Sequence, residues 1–475
     1  MMFHDGGGNR SQTVAAVDEV ITSLQASGYD FRTVSGLAGL DHVQVNHSVR
    51  AGQHLQGEIV AGAFRFGGFA TEALRWSLMV VVILSLLRAA ALLLFARQHA
   101  AAPERRHANP NFAPPVSIVV PAYNEEAGIE ASIKSLTASD YPHLQIVVVD
   151  DGSTDRTGEV LGALNSSGLR VIRQANAGKA KALNVGIQAA AHDLIVTVDA
   201  DTVFEPTAVA RLAGVFRDPR VGRASCNIAI SNERDSLWTG LQSVEYLMSI
   251  SAGRSILDVA GAIACLSGAC SMYRRDVFLR QGGLDVGPGE DLEYSLRLRR
   301  LGYLIRFVPD AWAETDGPTN AISLLRQRAR WDRDALRIRF MMYGELSFFH
   351  RLERLPDTLQ RLDFIVFDLV PTLTLPFYLA YVVLLFGPNA ALFLGAIYVL
   401  LLWISIFNMA LAFVMFNRSI GFFGLGSSLI FPLYQGVFLK CARFFSYSSE
   451  IMFAASRRDD FVPPRVRHAL LGNRA

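Results

Sequence analysis

Charge and cysteine are both scarce in this chain. Charged residues make up 19% of the 475 positions and the formal net charge is +2. No basic excess exists to hold a polyanionic backbone, so nucleic acid is excluded as a partner. The four cysteines, Cys226, Cys265, Cys270 and Cys441, show no metal-ligand spacing, which excludes a zinc-cluster fold. They are expected to be reduced and to pack as small apolar residues. The first long apolar run starts near residue 76, too far into the chain to act as a cleaved signal peptide.

Apolar residues are what the chain has in excess, at 51% with a mean hydropathy of +0.27. They collect in two blocks. Residues 76–96 form one run, long enough at 1.5 Å per residue to cross a ~30 Å hydrocarbon core. Arg88 interrupts it, and Arg97, Arg105 and Arg106 follow, which predicts a cytoplasmic location for what comes next. Residues 101–115 contain Pro103, Pro110, Pro114 and Pro115 and read as a linker. The second block, 363–441, holds about three candidate spans separated by turn signals at Gly387-Pro388-Asn389 and Asn417-Arg418-Ser419. Residues 319–350 are basic and amphipathic, suited to a membrane interface or to an ordinary protein surface. One span before the domain and three after would put both ends outside the cytoplasm. The tail 442–475 instead carries Arg457, Arg458, Arg465 and Arg467, which favour the inside.

Between the blocks, residues 114–318 have soluble-domain composition. Strand-like runs at 116–120, 145–149 and 194–198 alternate with helical patterns at 125–139 and 178–191. The alternation predicts an α/β domain with a parallel sheet. Its acidic motifs fall where such sheets bind ligands, past the carboxyl ends of strands. Asp150-Asp151-Gly152-Ser153 follows one buried run and serves either as a turn or as a nucleotide ligand. Asp199-Ala200-Asp201 follows another. Two carboxylates at i and i+2 of an extended strand point the same way, and like charges so placed suit Mg²⁺ or Mn²⁺ shared with substrate phosphates. Lys179 opens a helix after Gly178, as a phosphate contact or a basic surface turn. Glu290 and Asp291 start another helix, as caps or with Asp291 as general base. Gln327, Arg330 and Trp331 sit three and four apart, sharing one helix face.

In this order along one α/β domain, Asp-Asp-Gly-Ser, Asp-x-Asp, Gly-Glu-Asp and Gln-x-x-Arg-Trp resemble the processive family 2 glycosyltransferases. These include hyaluronan, cellulose, chitin and poly-N-acetylglucosamine synthases. The likeness runs from about Pro114 to the end of the chain. It implies a GT-A fold inserted between transmembrane helices in the cell inner membrane, with the catalytic domain cytoplasmic. It further implies a UDP-sugar donor, a polysaccharide acceptor, inversion to β-linkages and export of the chain through the membrane helices. Carried over residue by residue, Asp150, Asp151 and Lys179 bind the nucleotide, Asp199 and Asp201 hold the metal and diphosphate, and Asp291, beside Glu290, is the base. Gln327, Arg330 and Trp331 close over diphosphate and acceptor, and the segment of Ser267 and Gly268 lines the acceptor pocket.

Residues 1–50, through Phe3-His4-Asp5-Gly6-Gly7-Gly8-Asn9, resemble the end of a polysaccharide deacetylase domain. The part that carries that family's catalytic Asp and most metal ligands does not match anywhere, so no deacetylase activity is expected. The association favours UDP-N-acetylglucosamine over UDP-glucose as donor, and makes a deacetylase or accessory subunit a plausible partner. Two other readings compete. One is transfer of a single sugar to a lipid phosphate, which the Gln-x-x-Arg-Trp segment opposes. The other is an inactive scaffold or export channel, which the retained carboxylates oppose.

Overall fold

The computed structural model describes residues 11–40, 51–100, 112–164, 168–343, 355–416, 422–459, 461–464 and 466–467. The chain divides into two units, Met1–Met79 and Val80–Ala475. The first contains helix α1 (Ser11–Ala26), a single turn α2 (Val34–Leu37) capped by Thr33, and the start of α3 (Ala51–Ala100). His4 and its neighbours lie outside the described residues, as do Arg105 and Arg106.

The second unit is built on one eight-stranded sheet in the order β3-β2-β1-β4-β7-β6-β8-β5. Its chain order is β1 (Val116–Ala122), α4 (Ile129–Thr137), β2 (Leu144–Asp150), α5 (Thr157–Ala163), β3 (Leu169–Arg173), α6 (Lys179–Ala189) and β4 (Leu194–Val198). Then come β5 (Val203–Phe204), α7 (Ala208–Val215), β6 (Val221–Ile230), α8 (Leu237–Tyr246), α9 (Arg254–Val259), β7 (Cys270–Arg274), α10 (Arg275–Arg280), α11 (Glu290–Arg300) and β8 (Leu304–Thr315). Strands β1 and β2 are runs of Val and Ile buried on both faces, the mark of a covered central strand. Val148 and Ile118 enter one core and Val147 and Val119 the other, as the two-residue pleat requires.

The expected parallel sheet is half right. Strands β3, β2, β1 and β4 are parallel, but β7 runs antiparallel to both β4 and β6, and β5 antiparallel to β8. The alternation signal covers only the first four strands. The rest is joined by loops and short helices whose pattern does not encode strand direction. The expectation of reduced cysteines is also corrected for one pair. Ser225 faces Ser271 in the β6–β7 register, so Cys226 and Cys270 fall opposite each other, 5.8 Å apart at Cα, and are joined as a disulfide.

Beyond the sheet, α12 (Ala321–Leu336) is capped by Asn320, whose side chain accepts the Ser323 amide at 3.0 Å. It continues into Arg337–Met342. Helices α13 (Leu355–Phe364), α14 (Val370–Phe386), α15 (Ala390–Phe416), α16 (Phe422–Leu433) and α17 (Leu439–Phe453) complete the chain. Among the described residues, one helical run, Pro356–Ala410, is long and apolar enough to cross a membrane. Helix α17 packs on α12, where Arg443 bonds Asp332 at 3.2 Å and Asp368 at 2.5 Å.

Candidate active site

Because β2, β1 and β4 lie side by side and parallel, the residues just past their carboxyl ends converge. At the end of β2, Asp150 accepts the Ser153 amide at 3.0 Å and lies 3.6 Å from Arg173. Asp151 is buried, and its carboxylate accepts Gln174 Nε2 at 2.6 Å and the amides of Ala177 and Gly178 at 3.0 and 2.8 Å. It therefore fixes the 174–178 loop that launches α6. Gly152 has φ +78°, and a Cβ there would lie 2.7 Å from the Asn176 nitrogen, so this turn closes tightly on the same loop.

The loop delivers Lys179, whose ammonium meets Asp199 at 2.5 Å. Burial opposes its charge, but Asp199, Glu290 and Asp291 outweigh that and hold it above the ordinary lysine range. Strand β4 ends at Val198, so Asp199 and Asp201 do not project from extended strand as the spacing suggested. They belong to a turn, in which the Thr202 amide donates to the Asp199 carbonyl at 3.0 Å, and the Asp199 amide donates to Ala269 at 3.1 Å. The turn still brings the two charges together. Burial, then Asp199, raises the Asp201 carboxyl, while the hydroxyls of Thr202 and Thr315, each 3.3 Å away, act against the shift.

Glu125 completes this group and escaped the sequence reading. It sits just past β1, between the two acidic strand ends, and that position was the available signal. Burial, reinforced by Asp201, Asp199 and Asp155, pushes its carboxyl up to about 7 against the pull of Lys179. Among the described residues, no three His, Cys, Asp or Glu side chains are grouped so as to hold an ion by themselves.

The second half of the site faces this one across Lys179. Glu290 and Asp291 occupy the first turn of α11. Burial, then Asp291, raises the Glu290 carboxyl, and Lys179 pulls it back. A Cβ added at Gly268 would lie 3.5 Å from Asp291 Cβ and 3.9 Å from both Asp291 Oδ2 and Glu290 Oε1. Residue 268 thus adjoins both carboxylates at ordinary contact distance. Ser267 accepts the Ala269 amide on its hydroxyl at 3.3 Å and the Ser271 hydroxyl on its carbonyl at 2.6 Å.

On α12, Gln327, Arg330 and Trp331 are not bound to one another. The Gln327 carbonyl oxygen is buried without a partner, Arg330 acts on the Asp334 carboxyl, and Trp331 is 41% exposed. Trp331 stacks on Arg328, 4.5 Å from guanidinium to ring centre. Arg328 had passed for one more basic residue of an amphipathic helix. It is buried, and its guanidinium bonds Glu245 at 2.8 Å, which also accepts the Tyr434 hydroxyl at 2.8 Å. Also unforeseen is the segment at 461–466. Val462 and Val466 pack with Val286, and Phe461 lies against Gly178 and Gly287, beside the loops of Lys179 and Glu290.

Comparison with known proteins agrees with this geometry. Residues 117–281 match the family model described as Glycosyl transferase family 2. An N-acetylglucosaminyltransferase of Rhizobium meliloti is 34% identical over 243 residues, 48% of this chain and 57% of that protein. The poly-beta-1,6-N-acetyl-D-glucosamine synthase of Staphylococcus aureus is 30% identical over 220 residues, 46% of this chain and 53% of that protein. The chain thus spans about half the length of the curated relatives it matches. Among solved structures, a mannosyltransferase from Pyrobaculum calidifontis in complex with GDP-Man and Mn²⁺ aligns with 78% of this chain and 98% of its own. Its TM-score is 0.52 at 20% identity, a likeness of fold alone. Residues 117–281 are thus similar to the glycosyl transferase family 2 domain, and the mixed-sheet α/β unit shares its GT-A-like fold with the mannosyltransferase.

Proposed function

We propose that this protein transfers N-acetylglucosamine from UDP-N-acetylglucosamine, with inversion and processively, onto a growing β-linked polysaccharide. The observation that carries the reading is that Gly268 adjoins the Asp291 and Glu290 side chains, and that both carboxylates act on Lys179, the partner of Asp199. An acceptor hydroxyl brought up beside Gly268 would meet a base on one side and a diphosphate site on the other. The choice of sugar is supported by the relatives from Rhizobium meliloti and Staphylococcus aureus, an N-acetylglucosaminyltransferase and a poly-beta-1,6-N-acetyl-D-glucosamine synthase.

In this reading the 174–178 loop, shaped by Asp151, borders the nucleotide, with Asp150 behind it. Lys179 lies beside the diphosphate. Asp291 takes the proton of the acceptor hydroxyl as its oxygen bonds to the anomeric carbon, and the bond from that carbon to UDP breaks on the opposite face. The new linkage is therefore β. Gln327 and Arg330 cover the diphosphate and Trp331 stacks on the acceptor sugar. A divalent cation fits the turn at Asp199 and Asp201, because the crowding that raises Asp201 and Glu125 is relieved by positive charge. Asp199 and Asp201 would hold Mg²⁺ or Mn²⁺, with remaining ligands from phosphate oxygens and water, and the ion when bound supplies Lewis-acid neutralisation of the diphosphate.

The same proposal places the chain in the inner membrane, with this domain cytoplasmic and the polymer leaving between the helices. The apolar run Pro356–Ala410 supports this, since little of its most apolar stretch is buried within the protein. The experiment is synthesis by purified protein in lipid discs with Mg²⁺ or Mn²⁺, offering UDP-N-acetylglucosamine and UDP-glucose separately. A high-mass product from the first alone is expected, and digestion by chitinase or by a β-1,6-specific hydrolase names the linkage. UDP binding without product from either donor would overturn the polymerase reading in favour of transfer to a lipid phosphate.

A further inference from the structure

Arg223, near the start of β6, is fully buried although it carries a charge. Its guanidinium does not pair with a carboxylate through any of its hydrogen bonds among the described residues. Nη1 donates to the Asp291 carbonyl at 2.5 Å and the Ser295 hydroxyl at 2.6 Å. Nη2 donates to the carbonyls of Leu266 and Ser267 at 3.1 and 3.2 Å and to the Ser271 hydroxyl at 3.0 Å, which Nε also reaches at 3.2 Å. The Tyr273 ring lies 5.1 Å beneath the cation. One planar fork thus joins the loop preceding Gly268, strand β7 and the first turn of α11.

Burying a guanidinium carries a large desolvation penalty. An apolar side chain would fill β6 without it, as Ala224 does next door. What the arginine adds is geometry. The loop and the helix turn have their own local bonds, Ser271 to Ser267 and Ser295 to Asp291, each at or below 2.7 Å. Arg299, in the last turn of α11, bonds the carbonyls of Gly261 and Ile263 at 2.8 and 2.9 Å, but at the Ser267 and Asp291 end the direct hydrogen bond among the described residues is the weak one of the Leu266 amide with Ser295 at 3.4 Å. Arg223 supplies the strong one.

We infer that Arg223 is a positioning residue for sugar transfer: it locks the Ser267–Gly268 loop to the turn bearing Asp291, so that acceptor and base keep one separation. The inference rests on the proposed role of Asp291 as base. Among the described residues, none of Arg223's hydrogen bonds reaches Asp150, Asp151, Lys179, Asp199 or Asp201, so its loss is expected to act on transfer and to leave donor binding alone. Lysine keeps the charge, but a single ammonium cannot span three segments.

The test compares wild type with Arg223→Lys and Arg223→Met in lipid discs, by UDP-N-acetylglucosamine kinetics, UDP binding and hydrogen exchange. Both variants are expected to bind UDP within about twofold of wild type, to lose about tenfold or more in kcat for elongation, and to release more UDP per sugar incorporated. Peptides covering 264–274 and 288–298 should gain exchange together, with 144–180 unchanged. Unaltered exchange in either peptide, or loss of UDP affinity in step with kcat, would overturn the lock and leave Arg223 an ordinary core residue. If Arg223→Met fails to fold, Arg223→Lys decides. A wild type that turns over no UDP-N-acetylglucosamine sinks the transferase reading, and the exchange comparison still shows whether the two segments are coupled.

Discussion

The two halves of the site are held by different chemistry. On the nucleotide side, a carboxylate organises its own neighbourhood: Asp151 collects two amides and a carboxamide from residues 174–178, a short way down the chain. On the acceptor side, buried arginines do the organising, and their partners are remote. Arg223 reaches Asp291, 68 positions away, and Arg328 reaches Glu245, 83 positions away. The first half is a set of local turns that folding of β1, β2 and β4 brings together. The second exists only once the sheet, α11 and α12 have docked. Substitutions in the first half should therefore act through charge at the strand ends, and those in the second through the alignment of distant elements.

The largest effect separates base from scaffold. Asp291→Asn keeps the shape of the α11 turn and removes the proton acceptor, so kcat should fall by roughly 10²–10⁴-fold with UDP binding and thermal stability near wild type. Retained turnover would remove Asp291 from the chemistry and revive the reading of the chain as an inactive scaffold. Next comes the nucleotide half. Chelation, or Asp201→Ala, should cost on the order of 100-fold, with activity after chelation restored by Mg²⁺ or Mn²⁺ and not by Ca²⁺-free buffer alone. Wild-type rates in Asp201→Ala would sink the metal assignment.

The same contrast explains what could be read from the sequence. Strands β1, β2 and β4 and the helices between them were legible because a buried parallel strand is a continuous apolar run and its ligand-facing end is punctuated by Asp and Gly. The motifs around Asp151 and Asp199 were legible for the same reason, and that of Asp291 as paired carboxylates at a helix start. Glu125 was missed although it lies just past β1, because Glu125-Glu126 opens the helical pattern of 125–139 and reads as acidic residues at a helix start. Arg223 and Arg328 were illegible in a stronger sense. An arginine within a strand or a basic helix face is ordinarily solvated, and only long-range packing reveals that its donors are spent on backbone and carboxylate far away in sequence. The antiparallel placement of β7, which brings Cys226 opposite Cys270, belongs to the same class of fact.

A smaller effect tests whether the acceptor half is a unit. Trp331→Ala removes the exposed ring and leaves the Arg328–Glu245 pair, so product length should fall roughly tenfold while UDP affinity holds. If shortening occurs equally in Arg328→Lys, the guanidinium acts through the ring it supports. If donor hydrolysis alone changes in Trp331→Ala, the ring does not touch the acceptor.

The smallest effect concerns Asp334, where α12 meets the turn of Glu290 and Asp291. Burial is the main cause that pushes its carboxyl up to about 7. Glu290 and Asp291 add to it, while Arg337, 3.0 Å away, and Arg330 work against it. The sign of the pH effect follows from which state holds the proton. Between 3.8, the ordinary value, and about 7, the unfolded chain has released the proton that the folded chain keeps. Stability therefore falls as pH rises through that window and levels off above it. Asp334→Asn removes the slope without removing the side chain's bulk. It also leaves Arg337, already buried with two nitrogens unpartnered, without its carboxylate, so the variant need not be more stable at any single pH. The discriminating quantity is the difference between curves. Melting temperatures recorded from pH 5 to 8 should drop more for the wild type than for Asp334→Asn, by a few degrees. Parallel curves would mean that Asp334 is already ionised at pH 5, and that Arg337 outweighs the burial and the acidic pair beside it.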